Sequence, residues 1–491
     1  MEKVMGLLTA GLLLLTPQLA QATNCPVDLP DAIATHIDQP QWERSRWGIV
    51  IQNLESGDDL YRHNAEDYFL PASNAKLLTT AAALNALGPD WQQQTLIYQQ
   101  GDGADVEAIH ITGQGNPTLT TADLKAWARS LYAQGIRTIE RLTVSEAPPP
   151  YHHPTWEVYD LNFYYGAPVS GLILNENSFR LTVLPQAVGE PIAWETDDAI
   201  ALGQWQINNQ GVTSEPGNPY ALDITGILGT PILKISGAVA ADNGPDPWDM
   251  AVLDPAQYFL DTLRSQLLQA GIAVNTVAVE PREPLGMPLH ETWNSPPLTE
   301  LIRTTNQPSQ NLYAEVLLQG LGHAHPSQDG LIALEASLTN LGVDPDSYQL
   351  ADGSGLSRHN LVSSEAIAQT LAQMAKSEHA QDFLASLPVG GQSGTLRRRF
   401  RETPVAGSVW AKTGTLTGVS ALSGYLQLPG QERLVFSILL NQATVSVTEQ
   451  RQAIDGLVLL LADWQQCSTR DQDTLPELSG DRHQHDHAQG Q

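Results

Sequence analysis

This 491-residue chain is poor in three things: it has two cysteines, six lysines, and only 25 basic residues against 54 acidic ones, for a net charge of −29. The shortage of positive charge argues against nucleic acid or an anionic membrane surface as a partner, because either needs basic patches. It suits a protein that meets small solutes or a large neutral-to-mixed polymer. No G-x-S-x-G elbow, P-loop or Cys/His zinc spacing occurs, and no repeat with a period of 20–50 residues is evident. Past the N-terminus no stretch approaches twenty apolar residues, so no later membrane span is expected. The length exceeds what one compact core supports, and two or three domains are expected.

The N-terminus has a basic start, the apolar run GLLTAGLLLL, and Ala20-Gln21-Ala22 as a small-x-small cleavage site. Residues 1–22 therefore read as a secretory signal, which predicts an exported, periplasmic protein. Cys25 follows closely, but Asn24 before it is bulky and polar, unlike the residue that usually precedes a lipidated cysteine. In an exported chain Cys25 and Cys467 either form a disulfide, which requires both termini to meet on one domain, or stay unpaired.

Along the chain, a short helix is expected over Asp31–Ile37, a strand over Trp47–Leu54, and a second strand near Leu60. PASNAKLLTTAAAL (Pro71–Leu84) predicts a helix stopped by Gly88-Pro89. From about residue 95 the pattern changes to short strands alternating with helices, among them Asp123–Gln134 and a helix capped by Asp254-Pro255 and Gly271. Beyond residue 288 a helical pattern returns. A hairpin turns at Pro429-Gly430-Gln431, and a long apolar helix covers Thr448–Gln466. The boundaries drawn from this are 23–94 and 288–467 for the two parts of one domain, and 95–185 and 250–287 for the two parts of an insert. A polar, glycine-rich stretch at 186–249 is nested inside that insert, and a polar, disordered tail is expected over 468–491.

Three short motifs could carry chemistry. Ser73 and Lys76 stand three apart, on one face of the predicted helix, so an amine can reach a hydroxyl that is a weak nucleophile until a base removes its proton. With six lysines such a pair also arises by chance. Pro308-Ser309-Gln310-Asn311 precedes another helix; alone, Ser-x-Asn is commonly a capping turn. Val409–Gly418 places Lys412, Thr413 and Gly414 along a strand entering a hairpin, and the glycine lets a bound chain lie close. A charged strand edge that protects against aggregation is the plainer explanation.

In this order the three motifs resemble the Ser-x-x-Lys, Ser-x-Asn and Lys-Thr-Gly set of penicillin-binding proteins and serine β-lactamases. The chain is similar in particular to class C low-molecular-mass penicillin-binding proteins, the D-alanyl-D-alanine carboxypeptidase/endopeptidase family of type 4. Carrying that likeness are GQGNPTLT (Gly113–Thr120), DLNFYYGAPVS (Asp160–Ser170), DGSGLSRHNLVS (Asp352–Ser364) and GTLRRRF (Gly394–Phe400). The long insert between Ser73 and Ser309 is a mark of that family and is missing from β-lactamases. The resemblance implies an α+β, transpeptidase/β-lactamase-like domain with a sheet of about five antiparallel strands built from both chain ends. The terminal helices would share one sheet face, and a two-domain insertion would interrupt the fold.

It also implies roles. Ser73 would be the nucleophile and Lys76 its base. At an ordinary pKa of about 10.4, only about one lysine in 2,500 is neutral at pH 7, so the fold must lower that value, through Lys412 nearby or through burial. Ser309 would bridge Lys76 and Lys412 and relay a proton to the leaving D-alanine, and Asn311 would hold the substrate amide. Lys412 and Thr413 would bind the terminal carboxylate along the Gly414 edge. Backbone N–H groups of Ser73 and Thr415 would form the oxyanion hole. Asp160 either contacts the free amine of the peptide's diamino acid or is a surface aspartate, with Trp156 nearby by pattern. The implied partners are peptidoglycan stem peptides and, as inhibitors, β-lactams, with no cofactor and no metal. His483, His485 and His487 read as polar tail rather than as ligands. Two rivals stand beside this reading: a β-lactamase or esterase on the same fold, and a non-catalytic peptidoglycan-binding protein.

Overall fold

A computed structural model describes residues 28–473 except His152, with backbone alone for 468–473. The leader, Cys25 and the histidines of the tail lie outside the described residues. Among the described residues no helix is long and apolar enough to cross a membrane.

Both ends of the chain build one five-stranded antiparallel sheet, in the order Val409–Leu416, Val419–Leu426, Leu434–Asn441, Arg46–Asn53 and Asp59–His63. Strand alternation divides its side chains between two cores. Val50, Ala421, Tyr425, Val435 and Leu439 face a helical layer that includes Ala75–Leu87, Asn311–Ala324 and Ser364–Lys376. Ile49, Ile51, Leu422, Phe436, Ile438 and Leu440 face the terminal helices Leu29–Ile37 and Val447–Asp473. With both faces covered, the strands Val419–Leu426 and Leu434–Asn441 are buried along their whole length.

Cys467 is buried on the last helix and disulfide-bonded; Cys25, the chain's other cysteine, lies outside the described residues. That helix continues through Asp473, past Ser468 where the sequence predicts a disordered tail. The segment Ser468–Asp473 contains no proline or glycine, and extending an existing helix costs far less than starting one.

The insert carries a second five-stranded sheet, ordered Ala273–Val279, Thr138–Glu146, Asp105–Gly113, Gln94–Gln100 and Leu289–Asn294. Its first three strands are parallel, joined by crossovers that include the helices Thr121–Ala133 and Pro255–Ala270. Thr120 and Asp123 form a capping box at the start of the first of these helices, and Gly271, at φ +91°, ends the second. Short strands fill the nested stretch, and the two that flank it, Ser178–Leu184 and Asp246–Ala251, pair with each other. A small apolar cluster of Trp156, Val169, Ile173, Leu312, Val316 and Leu356 fastens the insert to the helix that begins at Asn311.

Candidate active site

Ser73 lies in a one-turn 3-10 helix, Ala72–Asn74, that runs directly into the helix Ala75–Leu87. The sequence predicts Ser73 on the helix itself. The tighter turn still stacks residues i and i+3, so the pair meets as expected. Two glycines make room for this turn. A Cβ at Gly355, whose φ is +83°, would fall 1.9 Å from the Ala72 carbonyl oxygen, and one at Gly414 would fall 2.7 Å from that of Pro71. Ala72 itself has φ +48°, a left-handed conformation that only well-determined surroundings sustain in a residue with a side chain.

Lys76 is fully buried. Its Nζ lies 3.0 Å from Ser73 Oγ, 2.6 Å from Asn311 Oδ1 and 2.7 Å from the Ser354 carbonyl oxygen. Burial lowers its pKa to about 7, against the opposing pull of Asp352 and Glu315. At that value a large share of the amine is neutral near pH 7, with two N–H donors and one lone pair. Asn311 Oδ1 and the Ser354 carbonyl can only accept. Of the three partners, only the Ser73 hydroxyl can donate, so the lone pair is directed at Ser73.

Lys412 is likewise fully buried, and burial, then the charge of Lys76, hold its pKa well below the usual lysine value. Its Nζ donates to Ser309 Oγ at 2.8 Å and to the Thr413 carbonyl at 2.9 Å. Ser309 has φ +70°, a strained position for serine that turns its hydroxyl toward Lys412. The sequence reading has Ser309 bridging both lysines. Here its hydroxyl accepts from Lys412, while the contacts of Lys76 go to Ser73, Asn311 and Ser354. Of the two means the sequence reading offers for neutralising Lys76, Lys412 nearby or burial, burial is the cause.

Asn311 orients rather than waits. Its Oδ1 takes the Lys76 bond, and its Nδ2 donates to the Tyr165 carbonyl at 2.8 Å. Each end keeps capacity for one more bond. Gln310, between the two motif residues, donates to the Glu176 carboxylate and so clips the loop to the insert. Thr413 is half-buried and donates to Thr395 Oγ1 at 2.8 Å. Thr415 is exposed, and its hydroxyl accepts from Arg451 at 3.3 Å. Asp160 begins a short 3-10 turn; its carboxyl is bonded by the Tyr165 hydroxyl, and burial and Glu157 raise its pKa while Arg358 pulls it down. It therefore stands three contacts from Lys76, with Tyr165 and Asn311 between them. Trp156 is buried, and its indole donates to Asp352 at 2.8 Å.

Sequence reasoning missed the support beneath Lys76. Glu315, one helical turn after Asn311, accepts from the N–H groups of Gly353 and Ser354, and burial lifts its pKa to about 8. Asp352 accepts from the N–H groups of Gly355 and Ser357. Together they hold the loop whose Ser354 carbonyl receives Lys76. A lone acid inside the apolar run NLYAEVLL was the available signal. Among the described residues no group of three His, Cys, Asp or Glu could hold a metal ion.

Known proteins share this arrangement of chain. A curated D-alanyl-D-alanine carboxypeptidase of an Actinomadura species is 33% identical over 477 residues, covering 89% of this chain and 85% of that protein. A D-alanyl-D-alanine carboxypeptidase of Haemophilus influenzae is 26% identical, covering 90% of this chain and 94% of that one. The crystal structure of penicillin binding protein 4 from Haemophilus influenzae matches with a TM-score of 0.77 at 24% identity, over 89% of this chain and 99% of that one, which places the fold among penicillin-recognising proteins. A family model matches residues 29–464, and the chain belongs to the D-Ala-D-Ala carboxypeptidase 3 (S13) family.

Proposed function

We propose that the protein hydrolyses D-alanyl-D-alanine-type bonds of peptidoglycan stem peptides through an ester at Ser73, and that penicillin acylates the same serine. The observation that carries this reading is the fully buried Lys76, whose two other partners can only accept, so that its lone pair faces the Ser73 hydroxyl. Lys76 takes the proton as Ser73 Oγ attacks the carbonyl carbon. Backbone N–H groups of Ser73 and Thr415 meet the developing oxyanion.

The C–N bond then breaks, and the departing amine takes a proton from the Ser309 hydroxyl, which regains one from Lys76; Lys76 is then neutral again to accept a proton from water in the next step, and Lys412 stays charged against the carboxylate. Water next hydrolyses the ester and returns the free serine. Entry of a substrate carboxylate beside Lys412 favours its charged form, so the buried amine becomes a cation where it is needed. Thr413 shares that carboxylate, Gly414 lets the peptide lie against the strand, and Asn311 adds a bond to the substrate amide. Asp160, half-buried beside Tyr165, receives the free amine of the diamino acid. Residues 1–22 direct export to the periplasm and are then removed.

Intact-mass spectrometry after incubation with benzylpenicillin tests the centre. A stable single adduct mapped to Ser73 is expected, whereas rapid turnover of the penicillin would favour a β-lactamase. Muropeptides analysed before and after incubation should lose a terminal D-alanine or convert from dimers to monomers; unchanged muropeptides would leave only a binding protein.

A further inference from the structure

The strongest concentration of positive charge in this acidic chain lies at the edge of the same centre. Residues 397–401 read Arg-Arg-Arg-Phe-Arg, four arginines in five positions of a protein of net charge −29. Arg397, Arg398 and Arg399 wall a cavity of about 560 Å3 together with Arg451 of the C-terminal helix, and Pro308 and Thr413 form its side toward the reacting centre. Two contacts shape the cleft. Thr395 N–H donates to the Gln307 carbonyl, which ties the arginine loop to the residues just before Ser309. Arg399 is locked to Asp455 by paired bonds from Nε and the guanidinium fork.

The other guanidiniums are left for something else. Among the described residues, no carboxylate lies within ion-pair distance of Arg397, Arg398 or Arg451. Arg397 and Arg398 are exposed, and Arg451 donates to the Thr415 hydroxyl at 3.3 Å. Burial, then the like charge of Arg399, lowers the pKa of Arg451, while Asp455, beyond ion-pair distance, pulls it up. Gathering like charges around one cavity is unfavourable unless an anion enters, and guanidinium groups suit carboxylates through paired hydrogen bonds.

Resting on the reading of Ser73, Lys412 and Thr413 given above, we infer that this cleft is a subsite for leaving groups that carry carboxylates beyond the one next to the scissile bond. A lone D-alanine has one carboxylate, which Lys412 and Thr413 already take, and its methyl group cannot reach across the cavity. A second stem peptide has further carboxylates along its length, and it leaves on the side where Pro308 and Thr413 open into the arginines. In the reaction its amine nitrogen takes the proton as the C–N bond to the Ser73-bound carbonyl breaks, and water then frees the serine. The cleft thus favours an acidic leaving group over its neutral counterpart at the same bond.

The test uses purified full-length protein and two synthetic peptides with one acyl part. In one the leaving residue is D-2-aminopimelate; in the other it is the side-chain amide of that residue. The expected kcat/KM ratio of acid to amide is about tenfold at low salt, equivalent to about 1.4 kcal/mol, and it shrinks as ionic strength rises. In Arg397→Gln/Arg398→Gln/Arg451→Gln the ratio falls to within about twofold of unity, and in Arg398→Glu, a change at an exposed position, it falls below the wild-type value by about as much as one ion pair contributes. A wild-type ratio near one overturns the inference, as does a high ratio that both variants retain. If the cleft instead serves a phosphate-bearing polymer, tripolyphosphate slows both peptides alike while the ratio stays at one, and that result also overturns it. Labelling by a fluorescent penicillin in the same samples separates the two levels: labelled enzyme with a ratio of one sinks only the subsite, and unlabelled wild type sinks the reading of Ser73.

Discussion

Each of the two five-stranded sheets holds a buried basic side chain, and the two differ in what surrounds it. In the insert's sheet His110 is 1% exposed, and both ring nitrogens are satisfied by the neighbouring strand, Nδ1 by Thr143 at 2.7 Å and Nε2 by Ser145 at 2.8 Å. Burial, then Arg141, lowers its pKa to about 4, so it stays neutral and inert. In the sheet built from the chain ends, Lys412 is as deeply buried, but its partners are a strained serine from another segment and the carbonyl of the next residue. Once a substrate carboxylate favours its charged form, Lys412 has three donors and keeps one for that ligand. Burial alone thus does not mark a functional group. A buried group with spare bonding capacity, met by side chains from distant segments, does.

The sharpest break in this comparison is Ser73→Ala, which should lower peptide hydrolysis by at least about a thousandfold while the melting temperature stays close to wild type; a melting curve read beside single-turnover kinetics checks both. Next is pH. Because Lys76 must be neutral to act, acylation by penicillin should rise with pH, level off above about 7 and fall about tenfold per unit below it. A stopped-flow profile flat between pH 5 and 8 would contradict the role of Lys76.

On the other sheet, His110→Ala should cost about 1–3 kcal/mol of stability by stranding the Thr143 and Ser145 hydroxyls, with unchanged turnover per folded molecule; urea unfolding and active-site titration measure the two. His110 also makes a pH-dependent contribution. Its folded pKa of about 4 lies below the unfolded value of 6.5, so its contribution is full above 6.5 and is lost as pH falls toward 4. His110→Gln should flatten that part of the stability profile. The smallest effect is expected for Gln310→Ala, which releases the Ser309 loop from Glu176. A rise in KM with little change in kcat is expected, read from steady-state kinetics.

The comparison also shows what a sequence reader could and could not see. The strand at Trp47–Leu54 and the helices near Asp123 and Asp254 were legible from period, caps and glycines, and they appear within a few residues of their expected ends. Ser73, Lys76, Ser309, Asn311 and Lys412 were legible as types in an order. Glu315, Tyr165 and Arg451 were not, because each acts through a neighbour elsewhere in the chain, and neither was the role of Asp352, because its hold on the Gly355 and Ser357 N–H groups depends on the folded shape of the loop. Tyr165 contributes a carbonyl, which no side-chain motif can announce.

By itself the sequence determined which segments become strands and helices, and which residue types could supply a nucleophile, a base and a carboxylate-binding cation, because periodicity and local propensity are short-range properties. Only the tertiary structure decided that Lys76 is dry enough to be neutral, that its lone pair faces Ser73 and not Ser309, and that four arginines stand around one cleft. Desolvation and bond direction depend on what packs on every side of a group, and most of those neighbours are hundreds of residues away along the chain.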